Sequence, residues 1–299
     1  MILRWLAAAP MMTAMIAALA ACDEGDLNIS VFGDQAQVEQ RLPAEAPTGT
    51  FARPTAAPAT PEPAPAAPPA NDPPEAGPRH VKLDYLIGKV DPANDPSFTR
   101  IPERYLGGTR VWGHKDAVAA FVRMAEAAAV NGYTLKVVSA FRSFDDQKQI
   151  WEDKWNGKTL VGGKKLPQST PDPKARALKI LEFSSMPGTS RHHWGTDFDL
   201  NSLNNSYFNT RDGKRIHDWL TAHAAEYGFC QVYSAKSDGR TGYEEEKWHW
   251  SYMPIASWYL QQYPVDVGYE RLAGFEGAGS AKDIDVIGKY VQGINPDCR

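Results

Sequence analysis

Apolar residues recur at two different spacings along residues 114–262, and the two spacings predict both helices and strands. Apolar residues three or four positions apart predict helices, whereas alternating or β-branched runs predict strands. The predicted helices cover 114–131, 143–155, 173–183, 212–227 and 254–262. The predicted strands cover 133–141, 195–200, 229–234 and 247–253. Because the helices and strands do not follow a regular βαβ order, the pattern favours an α+β fold.

The N-terminal segment 1–21 has a different pattern. Arg4 precedes an apolar run that is short for a membrane span once Pro10 is counted, so we predict an export signal peptide. The run ends in Leu-Ala-Ala-Cys22, which resembles the bacterial lipoprotein cleavage box. We therefore expect lipid on Cys22, the alternative being an ordinary signal peptide that happens to meet a cysteine. Asp23 favours retention at the inner membrane over the outer one.

Residues 43–78 hold 12 of the 23 prolines in the chain. Proline supplies no backbone N–H to a helix or a sheet, so this stretch predicts a solvated, polyproline-like tether. The chain therefore divides into a signal peptide over 1–21, a lipidated N-terminus and tether over 22–79, and one globular domain over 80–299.

Composition and charge narrow the classes of function. Hydrophobic residues make up 42% of the 299 residues, which fits a domain with a packed core. A formal net charge of -4 argues against a protein that coats nucleic acid. Three cysteines are too few for a disulfide-built scaffold or a cysteine-rich zinc module.

Two polar clusters carry candidate chemistry. His192 and Asp199 lie seven positions apart across a glycine turn and a short strand, and His249 lies on a separate strand with Glu246 three positions before it. Two histidines and one carboxylate leave one position of a tetrahedral zinc site open for water, as catalytic zinc sites do. Glu246 is the candidate general base.

The residue pattern alone leaves alternatives open. His193 competes with His192, and Asp197 competes with Asp199, since both acids point to the same face of the strand. The chain has seven histidines, so such a set also arises by chance, and a Trp-His pair in a strand commonly packs in a core.

A third cluster completes a resemblance to a known family. Residues 190–199 fit the pattern S-x-H-x-x-G-x-A-x-D except at Asp197, and 246–249 fit E-x-W-H. Residues 139–147 are similar to S-x-Y/F-R-S-x-x-x-Q. These three patterns, in this order, resemble the zinc D-alanyl-D-alanine carboxypeptidases and dipeptidases of the VanY type, relatives of the hedgehog zinc fold. The resemblance covers residues 82–260.

The resemblance implies a fold and a role for each residue at a matching position. It implies a small antiparallel sheet with flanking helices in one catalytic domain, with one zinc ion per chain. The implied zinc ligands are His192, Asp199 and His249, and the implied catalytic residues are Glu246, as the base, and Arg142. Arg142 would hold the substrate carboxylate or the carbonyl oxygen that becomes negative, and the implied substrate-binding residues are Arg142, Gln147 and Ser190. Asp197 replaces the usual alanine, so it is either a residue that orients a ligand histidine or a rival ligand.

The resemblance also implies an activity. We expect a zinc carboxypeptidase that removes the terminal D-Ala from peptidoglycan stem peptides, held by its lipid on the periplasmic side of a bacterial envelope. An L,D-carboxypeptidase, a D,D-dipeptidase, a crosslink endopeptidase and a non-catalytic zinc-retaining peptidoglycan-binding module are the alternatives. Once Cys22 carries lipid, Cys230 and Cys298 remain as an even pair in an oxidising compartment, so we expect a disulfide between them.

Overall fold

A computed structural model describes residues 83–299 of the chain. The predicted signal peptide, Cys22 and the tether lie outside the described residues and stay predictions. The helices are α1 (Leu83–Leu86), α2 (Lys115–Val130), α3 (Phe144–Trp155), α4 (Leu166–Ser169), α5 (Pro173–Ile180), α6 (Arg211–His223), α7 (Met253–Asp266) and α8 (Ala281–Ile284). The strands are β1 (Phe98–Arg100), β2 (Trp112–His114), β3 (Val137–Ser139), β4 (Asp197–Leu200), β5 (Phe229–Gln231) and β6 (His249–Tyr252). Within 83–299, no helix combines the length and the hydropathy that crossing a bilayer requires.

The strands form two antiparallel sheets. β1 and β2 pair with each other, and the other four form a sheet in the order β3-β4-β6-β5. In this sheet Asp199 of β4 is the direct neighbour of His249 of β6. Helices pack around the sheet, and the predicted α+β class with a small antiparallel sheet and flanking helices is confirmed.

The two faces of the central strands differ sharply in chemistry. Because side chains alternate along a strand, Phe198 and Leu200 point to one face of β4 and its two aspartates to the other. Phe198, Leu200 and Trp250 belong to a buried apolar cluster that includes residues of α2 and α6. Asp199 and His249 therefore project from the opposite face, away from that cluster.

A register shift in β3 brings a third strand to the polar face. Val137 pairs with Leu200 and Ser139 pairs with Asp199, with an irregularity between Val137 and Ser139. Paired residues share a face, so the irregularity leaves Val137 on the apolar face and turns Ser139 to the polar one. The prediction of one regularly alternating strand over 133–141 is wrong in extent, because the ladder covers only Val137–Ser139.

The C-terminal tail is attached to the edge of the sheet. Cys230 of β5 and Cys298 form a disulfide with their Cα atoms 5.8 Å apart. The backbone N–H of Asn295 also donates to the carbonyl of Val232 at 2.8 Å, just beyond β5. The tail therefore covers the outer side of β5, the strand next to the one that carries His249.

We expect the double variant Cys230→Ser/Cys298→Ser to lower the free energy of unfolding by about 2–4 kcal/mol, because the bridge closes a long loop and restricts the unfolded chain. The bridged residues are 68 positions apart. Denaturant unfolding of the two proteins measures the difference, and Cys22→Ser serves as the control that removes a cysteine and keeps the pair. Equal midpoints for the double variant and the control would show that the bridge adds no stability.

Candidate metal centre

His192 is held by a short 3₁₀ helix, Arg191–Trp194, that leads into β4. The hydroxyl of Ser190 caps this helix by accepting the N–H of His192 at 3.3 Å. Gly195 ends it with φ of 70°, and a Cβ there would lie 2.5 Å from the ring of Phe98. Both the left-handed backbone and the missing side chain favour glycine, which explains the glycine at this point of the motif.

The three residues implied as ligands converge. One donor atom from each of His192, Asp199 and His249 lies within 4.8 Å of the others, and all three side chains are buried. His192 Nε2 is 3.3 Å from Asp199 Oδ2, and His249 Nδ1 is 3.4 Å from Asp199 Oδ1. The opposite nitrogen of His192, Nδ1, donates to the carbonyl of Ala140 at 2.8 Å, so its Nε2 is directed at the cluster as an acceptor.

Two atoms of this cluster fit a metal ion. His192 Nε2 and Asp199 Oδ1 are buried and have no hydrogen-bond partner. A buried polar atom without a partner is costly unless something satisfies it. Two imidazoles and one carboxylate are also the donor set of open, catalytic zinc sites. The residues present therefore fit the metal that the sequence predicts.

Glu246 lies beside the cluster without belonging to it. Its Oε2 is 3.1 Å from His249 Nδ1, and the side chain is buried. Burial raises the pKa of Glu246 above its usual value, because a charged carboxylate loses hydration there. A carboxylate with a raised pKa next to a candidate metal site has the properties of a general base.

Asp197 lies on the far side of the His249 ring. Its Oδ2 accepts from His249 Nε2 at 2.8 Å, whereas the cluster faces Nδ1 of the same ring. Burial alone would raise the pKa of Asp197, but Arg191 and His249 outweigh burial and hold it well below the usual value. Of the two roles left open for Asp197, the geometry matches the one that orients a histidine.

Arg142 reaches the cluster from the loop before α3. Its Nε donates to Ser139 Oγ at 3.2 Å, its Nη1 to Gln147 Oε1 at 3.0 Å and its Nη2 to Asp199 Oδ2 at 3.1 Å. A guanidinium has five N–H donors, so two remain for a substrate. The face change in β3 places Ser139 where it can accept from this side chain.

The structure gives Gln147 and Ser190 protein partners. Gln147 is fully buried, and its amide donates to the carbonyl of Ser185 at 2.8 Å while accepting from Arg142. Ser190 is 1% exposed and caps the helix of His192. Gln147 therefore supports Arg142 and Ser190 supports His192, and direct contact with substrate stays a prediction for each.

His193, the rival of His192, points elsewhere. Its Nδ1 donates to the carbonyl of Arg142 at 2.7 Å, and its Nε2 accepts the N–H of Gly188 at 3.1 Å. Burial lowers the pKa of His193 to about 3, which keeps the ring neutral. It is a fully buried residue that ties the backbone of Arg142 to the loop before the motif.

Sequence reasoning missed the residues that hold this centre in place. The carbonyl of Ala140, the carbonyl of Ser185 and the hydroxyl of Ser251 each bond one of its side chains. A backbone carbonyl leaves no trace in residue identity, so no signal pointed to the first two. Ser251 follows His249 by two positions and shares its face, which was a usable signal.

Residues 111–255 match the family model described as VanY, D-alanyl-D-alanine carboxypeptidase. The putative carboxypeptidase YodJ of Bacillus subtilis is 31% identical over 181 residues, which cover 56% of this chain and 56% of that protein. A D-alanyl-D-alanine carboxypeptidase of Enterococcus faecalis is 27% identical over 130 residues, 44% of each chain. The chain thus spans about half the length of these two curated relatives.

Solved structures with similar folds were also found. The LD-carboxypeptidase LdcB is 24% identical, with a TM-score of 0.42 over 66% of this chain and 76% of that one. The vancomycin resistance D,D-pentapeptidase VanY, solved in complex with Zn(II), is 22% identical, with a TM-score of 0.39 over 58% of this chain and 93% of that one.

Proposed function

Because residues 111–255 belong to the VanY family of D-alanyl-D-alanine carboxypeptidases, we propose that the chain is a zinc-dependent carboxypeptidase that removes the terminal D-Ala from peptidoglycan stem peptides. One observation carries the zinc part of this proposal. The buried cluster of His192, Asp199 and His249 contains two polar atoms without a partner, and both belong to the implied ligands.

The residues around the cluster have different roles in the proposed hydrolysis. The chemistry that zinc supplies in a site of this kind is Lewis acidity, which lowers the pKa of water and polarises a carbonyl group. Glu246 takes the proton from the attacking water and passes it to the nitrogen of the departing amino acid. Its burial supports this role, because burial raises the pKa of the Glu246 carboxylate and so makes it a stronger base than an exposed glutamate.

Arg142 provides positive charge for the substrate. Its Nη2 bonds Asp199, so the guanidinium lies directly beside the implied ligands. Two free N–H donors on a planar fork suit a carboxylate or a carbonyl oxygen that becomes negative during attack. Gln147 and Ser139 hold two of the three guanidinium nitrogens, which fixes the orientation of the fork.

Mass spectrometry of digested peptidoglycan tests the proposal. We expect the zinc-loaded chain to shorten pentapeptide stems by one alanine and to leave tetrapeptide stems and crosslinked dimers unchanged. The same chain with Glu246→Gln serves as the blank, because it removes the base and keeps the shape of the side chain.

Other digestion products would indicate a different peptidase reaction. Shortened tetrapeptides indicate an L,D-carboxypeptidase, loss of two residues a dipeptidase, and cleaved dimers an endopeptidase. Binding to peptidoglycan with no product from any of these substrates would indicate a non-catalytic module and would overturn the proposal.

A further inference from the structure

A fully buried network of polar side chains contacts Nε2 of His249, on the side of the ring that faces away from His192 and Asp199. Its centre is Asp197, which is 0% exposed, and Arg191 is 1% exposed. Ser251 and Thr196 complete the network. A buried charged pair costs hydration, and this cost is offset only where the hydrogen bonds are nearly complete. The network therefore needs an explanation beyond packing.

The carboxylate of Asp197 is saturated. Its Oδ1 accepts from Thr196 Oγ1 at 2.8 Å and Ser251 Oγ at 2.7 Å. Its Oδ2 accepts from Arg191 Nε at 2.9 Å and His249 Nε2 at 2.8 Å. Four good hydrogen bonds leave Asp197 no capacity to act as a base or to bind a metal.

Arg191 is fixed in turn. Its Nη2 donates to Ser251 Oγ at 2.7 Å, and its guanidinium carbon lies 4.6 Å from the centre of the Trp194 ring. The positive charge of Arg191 compensates the negative charge of Asp197. Asp197 is thereby held as a carboxylate at a fixed place, with one lone pair aimed at His249.

We propose that Asp197, held by Arg191, is a positioning residue that fixes His249 with its proton on Nε2 and its Nδ1 lone pair directed at the metal site. This inference rests on the proposed function, since it concerns the same metal. A carboxylate can only accept here, so the proton must be on Nε2. Nδ1, which lies 3.1 Å from Glu246 Oε2, is then the ring nitrogen that faces the metal site and would bind the ion after passing its proton to that carboxylate. Contact between Nε2 and the Asp197 carboxylate makes the ring a stronger ligand.

The carboxylate that contacts His249 is particular to this chain, because it belongs to Asp197, a position where the chain departs from the family pattern. The resembling pattern has alanine there, and alanine offers His249 no acceptor. In this chain Asp197 and Arg191 both lie within the motif, on either side of the Gly195 turn, so the pair forms as the motif folds.

Zinc affinity measured by competition with a chelator tests the inference. We expect Asp197→Asn to bind zinc about 10–100-fold more weakly than the unsubstituted chain, while still binding one ion at saturation. Thr196→Val is the matched control, because it removes one hydrogen bond to the same carboxylate without touching His249; its affinity should stay within about threefold of the unsubstituted chain.

A second variant covers the case in which Asp197→Asn fails to fold. Arg191→Met/Asp197→Ala removes both charges together and leaves no unpaired buried ion. This double variant should bind zinc as weakly as Asp197→Asn, and an unchanged circular dichroism spectrum would show that it is folded. In the zinc-loaded, unsubstituted chain with 15N-labelled histidine, the His249 proton should be on Nε2, and a proton on Nδ1 would overturn the inference even if neither variant folds.

The chelator competition also includes His192→Ala, so that failure of this inference can be distinguished from failure of the proposed function. If the unsubstituted chain binds zinc, His192→Ala does not, and folded Asp197→Asn binds as tightly as Thr196→Val, the inference is wrong and the proposed function stands. If the unsubstituted chain binds no zinc, the proposed function fails, and the inference fails with it.

Discussion

Glu246→Gln is expected to keep its zinc and to lose turnover by about 10²–10⁴-fold, the usual contribution of a positioned base. The zinc should remain because three other side chains form the cluster and Glu246 only lies beside His249, at 3.1 Å. Glutamine keeps the size of the side chain and cannot take up a proton. Metal analysis and single-turnover kinetics on a pentapeptide stem measure the two effects separately.

Glu245→Gln is the matched control for this variant, because it removes a neighbouring carboxylate whose side chain is only partly buried. It should turn over substrate at the unsubstituted rate. Loss of zinc from Glu246→Gln would make Glu246 a ligand and reopen the role of Asp199. Unchanged turnover would exclude Glu246 as the base, and Asp197 could not replace it, since its carboxylate is already saturated.

His192→Ala is expected to lose zinc and activity together. It removes one of the three donors and one of the two atoms that lack a partner. We expect turnover to fall by about 10³-fold or more, since the metal contributes several kcal/mol to charge stabilisation. Zinc content per chain and the rate on the pentapeptide stem, measured on the same preparation, test the coupling.

The exposed His223 supplies the control for this variant. It pairs with Glu226 on the surface of the domain. His223→Ala should therefore keep both zinc and activity. Full zinc occupancy in folded His192→Ala would remove His192 from the ligand set and make the assignment of the whole cluster wrong.

The sequence predicted the parts of the site that depend on residue identity and local period. Asp197 and Asp199 lie two positions apart in one short strand, so their common face followed from a period of two, whereas the pairing of Asp199 with His249 is known only from the structure. The helix predicted over 143–155 is α3, and the structure shows a capping box at its start between Ser143 and Asp146. The long, Ala-rich helix over 114–131 is α2, which ends one residue before Asn131.

The features of the fold and site that the sequence did not predict depend on contacts between segments far apart in the chain. β1 and β2 have three residues each, too few for a period to be visible. The face change in β3 is imposed by pairing with β4, and residues 133–141 contain no glycine or proline that would mark it. Helix α7 continues to Asp266, beyond the predicted 262, although Pro264 lies within it. Gln147 and His193 each donate to a backbone carbonyl of a remote segment, that of Ser185 and that of Arg142.

Strands β4 and β6 each have one apolar and one polar face, and this limits how far Asp199 and His249 can move. Phe198 and Trp250 lock these strands into the core, so Asp199 and His249 can change place only if the core itself opens. Segments of this kind open with nearly the full free energy of unfolding, whereas loops open far more easily. Glu246 is different, because it lies in the connection before β6. Asp199 and His249 are therefore the stationary part of the centre, and adjustment to an arriving peptide falls to the segments outside these strands.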